Sequence, residues 1–148
     1  LKSIDPVKTG TIAATPKTIK FLQSALREVV VSGTGAGAFS GFPIEVSGKT
    51  GTAQVFGRNP NGSSKDDTSW FASFAPSKNP QYAVVMMVSQ GGFGASSSGV
   101  GVRKIYEAIF GVVNRKVLPE NAIFPNGLPK TLPKISPATK VKTIGANP

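Results

Sequence analysis

A chain of 148 residues with 17 Lys and Arg against 7 Asp and Glu, and with neither histidine nor cysteine, is long enough for one domain with a core of its own. Its net charge of +10 suits anionic surroundings such as a membrane surface or a polyanionic polymer, although no run of Lys and Arg interleaved with aromatics marks a nucleic-acid surface. The missing residue types exclude His-based triads, thiol nucleophiles and ordinary zinc sites, so acid–base work falls to Lys, Asp, Glu or Tyr. No apolar run approaches the roughly 18 residues of a spanning helix. Leu1 is not a methionine and no signal segment follows it, so the chain is expected to be a fragment, with any anchor outside it.

Residues 1–14 alternate loosely around the breaks at Asp5-Pro6 and Gly10, which predicts a lead-in of short strand or loop. Thr15 then caps and Pro16 opens a helix, because Pro fits the first helical position and Thr supplies an acceptor before it. Ile19, Leu22, Ala25, Leu26, Val29 and Val30 follow at helical spacing until Gly33 ends the run. Gly33-Thr34-Gly35-Ala36-Gly37-Ala38 spells a dinucleotide-type G-x-G-x-x-A. That chemistry needs a helix directly after the glycines to meet a pyrophosphate, and Phe39-Ser40-Gly41-Phe42-Pro43 reads instead as a mobile linker.

The most informative stretch is residues 44–55, Ile-Glu-Val-Ser-Gly-Lys-Thr-Gly-Thr-Ala-Gln-Val. Val46, Thr50, Thr52 and Val55 favour a pleated backbone, while Gly48 and Gly51 are tolerated in a strand where another backbone or a ligand approaches closely. Period-two alternation puts the Thr50 and Thr52 hydroxyls on one face with Lys49 beside them, a small anion-binding edge. A P-loop would need glycine at position 43, which is Pro43, and a helix starting at the lysine. Lys8-Thr9-Gly10-Thr11 repeats the same letters, but it runs straight into the helix start, whereas the second copy has strand-forming residues on both sides.

Residues 58–67, rich in Asn, Gly, Ser and Pro, form a turn or exposed loop. Residues 69–75 and 81–88 are strands whose short connection implies an antiparallel hairpin, since parallel neighbours need a long crossover. Both are apolar on both faces, so helices are expected on each side of the sheet. After the break at Gly91-Gly92-Phe93-Gly94, Ser97 or Ser98 can cap a helix carrying Val102, Ile105, Tyr106, Ile109, Phe110 and Val113 on one face. From Leu118 the Pro- and Lys-rich residues 118–148 read as an extended, solvated basic tail; a polyanion-binding arm is the alternative.

Taken in order, the helix from Pro16, the Gly33-Thr34-Gly35 break, the Ser-Gly-Lys-Thr-Gly-Thr-Ala-Gln strand, the 69–88 hairpin and the helix to Val113 resemble the C-terminal part of the transpeptidase domain of class B penicillin-binding proteins. The resemblance runs over residues 15–113, and order and spacing make it far more specific than the triplet alone. It implies an α+β fold of the penicillin-binding protein and serine β-lactamase type, an antiparallel sheet flanked by helices on both faces, with residues 15–117 as the C-terminal part of that domain. It also implies serine acyl transfer on peptidoglycan stem peptides, with β-lactams as substrate mimics and no cofactor or metal.

Carried onto this chain, the resemblance makes Lys49 the source of positive potential and the partner of an S-x-N serine. Thr50 and Thr52 would bind the carboxylate of substrate or drug, and Gly51 would leave the strand open for the acyl donor to lie alongside. The Thr52 backbone N–H would be half of an oxyanion hole, a donor worth about 3 kcal/mol in the transition state. Strict alternation starts Lys49 on the face opposite the threonines, so its amine must reach round.

No serine here has a lysine three positions later, which places nucleophile and base in an upstream segment carrying S-x-x-K and S-x-N. Ser77-Lys78-Asn79 matches S-x-N in letters but falls in the hairpin turn and reads as a decoy. The expected setting is the outer face of the bacterial cell membrane, in cell-wall synthesis supporting shape or division, reached through an anchor outside this chain. The alternatives are a D,D-carboxypeptidase or serine β-lactamase, which send the acyl group to water, and a non-enzymatic β-lactam-sensing or wall-binding domain. Unrelated polyanion binding driven by charge would instead collapse with added salt.

Overall fold

Thr15 and Pro16 open the first helix where their chemistry requires: in the computed structural model, which describes residues 7–123, α1 spans Pro16–Val31. The Thr15 hydroxyl accepts from the Thr18 backbone N–H at 3.1 Å, satisfying one of the donors that a helix start leaves free. Thr15→Ala is therefore expected to cost about 1 kcal/mol in denaturant unfolding, and Thr15→Ser about nothing. Residues 7–14, including the first Lys-Thr-Gly copy, are exposed and irregular, the loop of the two alternatives expected for the lead-in. Residues 1–6, and residues 124–148 of the expected tail, lie outside the described part.

After α1 the structure corrects one expectation. No helix start is expected directly after Gly33-Thr34-Gly35, yet a short helix, α2, forms at Ala36–Phe39, ahead of residues 40–43 of the expected linker. Four residues carry no periodic signal of their own; tertiary packing holds them, with Ala38 and Phe39 buried and the Phe39 ring 5.5 Å from that of Phe71.

β1 (Ser47–Ala53), β2 (Thr68–Ala75) and β3 (Tyr82–Val88) form a sheet in that order, each pair antiparallel. β1 is shorter than the 44–55 stretch because β2 offers partners only from Ser47↔Phe74 to Ala53↔Thr68. Alternation along β2 buries Ser69, Phe71, Ser73 and Ala75 on one face. Helix α3 (Val100–Phe110), entered through a single π-helical turn at Ala95–Gly99, covers that face with Val102, Tyr106 and Ile109. These join Val30, Ala38, Phe39, Val46, Phe71 and Ala75 in one core.

The Tyr106 hydroxyl lies 3.1 Å from that of Ser73, and burial raises its pKa above the ordinary phenol value. A phenol spent inside the core in this way is withdrawn from any acid–base role at the surface. The other face of the hairpin, with Trp70, Val85 and Met87, stays open; the second helical layer called for by its apolar residues is not among those described. The architecture is thus mixed helix and antiparallel sheet.

Beyond α3, Val112–Val113 (β4) and Lys116–Val117 (β5) make a two-residue ladder. Residues 118–123, expected as the start of an extended tail, fold back instead: a 3-10 turn at Pro119–Asn121 is followed by Ile123, whose N–H donates to the Ala108 carbonyl at 3.0 Å.

Candidate active site

Among the described residues β1 pairs only with β2, which leaves its other edge available. Register places Thr50 opposite Phe71 and Thr52 opposite Ser69, so both hydroxyls stand on the face that the core side chains define. Lys49, opposite Ala72, starts on the other face. Its chain curls round the edge, and the amine donates to the Thr50 carbonyl at 2.9 Å and to the Thr50 hydroxyl at 3.2 Å. Alternation alone separates this amine from the threonines; a flexible four-carbon stem on an outer strand removes the separation.

Two glycines explain how the ribbon is approached so closely. A Cβ at Gly48 would stand 2.8 Å from the Ala72 carbonyl and 2.9 Å from the Phe71 ring, and a Cβ at Gly94 would stand 2.6 Å from the Gly51 and Trp70 carbonyls. Side chains at either position would push the ribbon off the core or the overlying loop off the ribbon. That loop brings the Gly94 N–H to the Thr52 hydroxyl at 3.4 Å and hangs Phe93 at the lip, 77% exposed.

The result is an open cleft of about 280 Å³ lined by Thr34, Thr50, Thr52, Phe93, Gly94 and Ala95. Its chemistry is hydroxyl donors beside an ammonium, a setting for an anion. Four of its lining residues, Thr34, Phe93, Gly94 and Ala95, are not among the candidates the sequence offers. Thr34 reaches Thr50 from 16 positions away, hydroxyl to hydroxyl at 2.8 Å, while Phe93 and Gly94 arrive from the loop after β3. The glycines beside them were the available signal.

The remaining candidates fall elsewhere. The Ser77 hydroxyl is buried against that of Ser47, and its N–H donates to the Glu45 carbonyl at 2.7 Å. It therefore joins the β2–β3 turn to the start of β1, at the far end of the strand from Thr52. A larger groove of about 500 Å³ between α1 and that turn is lined by Lys20, Arg27, Glu28, Glu45 and Lys78 among others. There Lys78 and Glu45 pair at 3.5 Å and the Arg27 guanidinium caps the Val46 carbonyl at 2.9 Å, so much of its charge is already satisfied. Among the described residues no group of three or more His, Cys, Asp or Glu could hold a metal, and no helix is long and apolar enough to cross a membrane.

Residues 2–110 match the family model described as the penicillin binding protein transpeptidase domain. The chain is 33% identical over 99 residues to a peptidoglycan D,D-transpeptidase FtsI homolog of Mesostigma viride, covering 64% of this chain and 16% of that protein. Over 84 residues it is 36% identical to the peptidoglycan D,D-transpeptidase MrdA of Haemophilus influenzae, covering 51% of this chain and 13% of that one. Its fold is similar to PBP2 of Pseudomonas aeruginosa, seen in crystals in complex with WCK 5153, with a TM-score of 0.65 and 28% identity. That match covers 81% of this chain and 26% of the other. The chain therefore spans about a sixth or less of the curated relatives it matches.

Proposed function

This chain belongs to the penicillin-binding protein transpeptidase domain family, and from that premise we propose that it supplies one wall of a peptidoglycan D,D-transpeptidase site, with the attacking serine coming from a segment outside these 148 residues. The observation that carries the reading is the Lys49 amine wrapped to within 3.2 Å of the Thr50 hydroxyl, on an outer strand whose Thr52 hydroxyl shares the same cleft. The relatives named D,D-transpeptidases, and the absence of any S-x-x-K from the chain, support it.

In this reading the acyl donor lies along the free edge of β1, and Thr50 and Thr52 donate to its terminal carboxylate. The upstream serine oxygen attacks the penultimate D-alanine carbonyl, its proton passing to the paired lysine. The Thr52 backbone N–H helps hold the oxyanion. Collapse of the tetrahedral adduct breaks the C–N bond, the terminal D-alanine leaves as the amine after taking up a proton, and an amine of a second stem peptide then displaces the serine. Lys49 supplies a positive potential that favours the anionic donor and, with an S-x-N serine from upstream, eases the proton transfers. A β-lactam enters as a mimic of the donor and stops at the acyl stage. The site works on the outer side of the cell membrane, anchored through a segment outside this chain.

The test is acylation by a fluorescent penicillin, read on a gel, with this chain alone and with the longer protein that carries it. Labelling is expected only in the longer protein, at the upstream serine. Covalent labelling of this chain alone would overturn the assignment of the nucleophile.

A further inference from the structure

Thr34 lies outside β1, yet its hydroxyl sits 2.8 Å from that of Thr50 and lines the same cleft as Thr50 and Thr52. The placement is built by packing. The Gly35 N–H donates to the Val29 carbonyl at 2.8 Å, and a Cβ on Gly35 would meet that carbonyl at 3.2 Å and the Phe71 ring at 3.3 Å. Phe71 is the cross-strand partner of Thr50. The turn after α1 is therefore seated on the aromatic ring beneath Thr50, which delivers Thr34 to one position beside it.

Proton accounting gives the contact a role. An ammonium can only donate, so the Thr50 oxygen accepts from Lys49 at 3.2 Å. A hydroxyl oxygen has a second lone pair, and Thr34 can donate into it. Thr50 then has both lone pairs filled, and its single proton must point away from both donors, with its acidity raised by the cation. If Thr34 is missing, the Thr50 proton is free to rotate toward other acceptors or water.

The Thr52 hydroxyl already accepts from Gly94 and likewise has its proton to give. Two O–H donors on one face, each held by a neighbouring donor, match the two oxygens of a carboxylate.

We propose that Thr34 is a positioning residue for the carboxylate of the acyl donor, acting by orienting the Thr50 hydroxyl through the 2.8 Å contact. This rests on the transpeptidase reading above and adds to it a residue from outside the strand. The role is in recognition of the ground-state anion, so it acts on binding and not on the chemical step.

The experiment compares the longer protein with its Thr34→Val and Thr34→Ser variants, using benzylpenicillin and its methyl ester and resolving acylation into a dissociation constant and a limiting rate. Valine keeps the shape without the hydroxyl. Thr34→Val is expected to weaken benzylpenicillin binding about five- to tenfold, the worth of one net hydrogen bond, with an unchanged limiting rate and an unchanged melting midpoint. The ester, lacking the anion, should be affected about twofold or less, and Thr34→Ser should restore binding of the acid. Equal loss for acid and ester, a loss confined to the limiting rate, or no loss at all would overturn the proposal. Lys49→Ala serves as the control: loss there with none in Thr34→Val sinks this inference alone, whereas a wild-type protein that is never acylated removes the transpeptidase reading together with it.

Discussion

Lys49→Ala in the longer protein is expected to slow acylation by a fluorescent penicillin about 10²- to 10³-fold, the scale on which a preorganised electrostatic group acts in a cleft. Its fold should survive. The Lys49 side chain is exposed, and its hydrogen bonds run to the neighbouring Thr50, so removing it leaves no buried partner unsatisfied; a surface substitution of this kind shifts stability by about 0.5 kcal/mol or less. The comparison that gives the result meaning is Lys8→Ala, in the first Lys-Thr-Gly copy. Lys8 lies in an exposed segment without regular structure and should be silent. A silent Lys49→Ala with a crippled Lys8→Ala would move the site to the other copy.

Phe71→Ala is expected to be the most damaging single truncation in the core, costing about 3–5 kcal/mol in denaturant unfolding. Phe71 is fully buried, and its ring meets Phe39 at 5.5 Å between centroids. It also forms the surface on which Gly35 and Gly48 lie. A loss of that size is a large share of the stability of an ordinary domain. Phe71→Leu, which keeps most of the volume, should cost clearly less and serves as the folded variant. Because the same ring supports both the Thr34 turn and the strand face bearing Thr50, Phe71→Leu in the longer protein should also weaken β-lactam binding in the direction of Thr34→Val. A Phe71→Ala cost under about 1 kcal/mol would show that the core lies elsewhere.

The parts of this fold that were legible in advance are those whose signals are local. Thr15 and Pro16 start α1, and Gly33 follows its end, through hydrogen bonds and sterics confined to a few residues. The 81–88 run and the hairpin depend on β-branched composition and a connection too short for a parallel crossover. What was misread or missed depends on partners far along the chain. α2 has too few residues to show a period and exists because Phe71 and Gly99 accept Phe39 and Ala38. The ends of β1 are narrower than the 44–55 pattern because the β2 ladder runs only from Ser47↔Phe74 to Ala53↔Thr68. The fold-back after Leu118 turns on a bond from Ile123 to α3, inside a segment whose prolines point to an extended chain.

The same division runs through the site. Residue order alone set the Lys-Thr-Gly-Thr ribbon, the shared face of its two threonines and the lack of any S-x-x-K serine, because strand alternation and composition need no knowledge of neighbours. That Thr34 stands against Thr50, and that Phe93 and Gly94 close over the ribbon, were decided only when α1, the sheet and the loop after β3 packed together. The Thr34–Thr50 and Gly94–Thr52 contacts join residues separated by 16 and 42 positions, and no local rule of spacing reaches across such distances; a buried aromatic ring with glycines laid against it does.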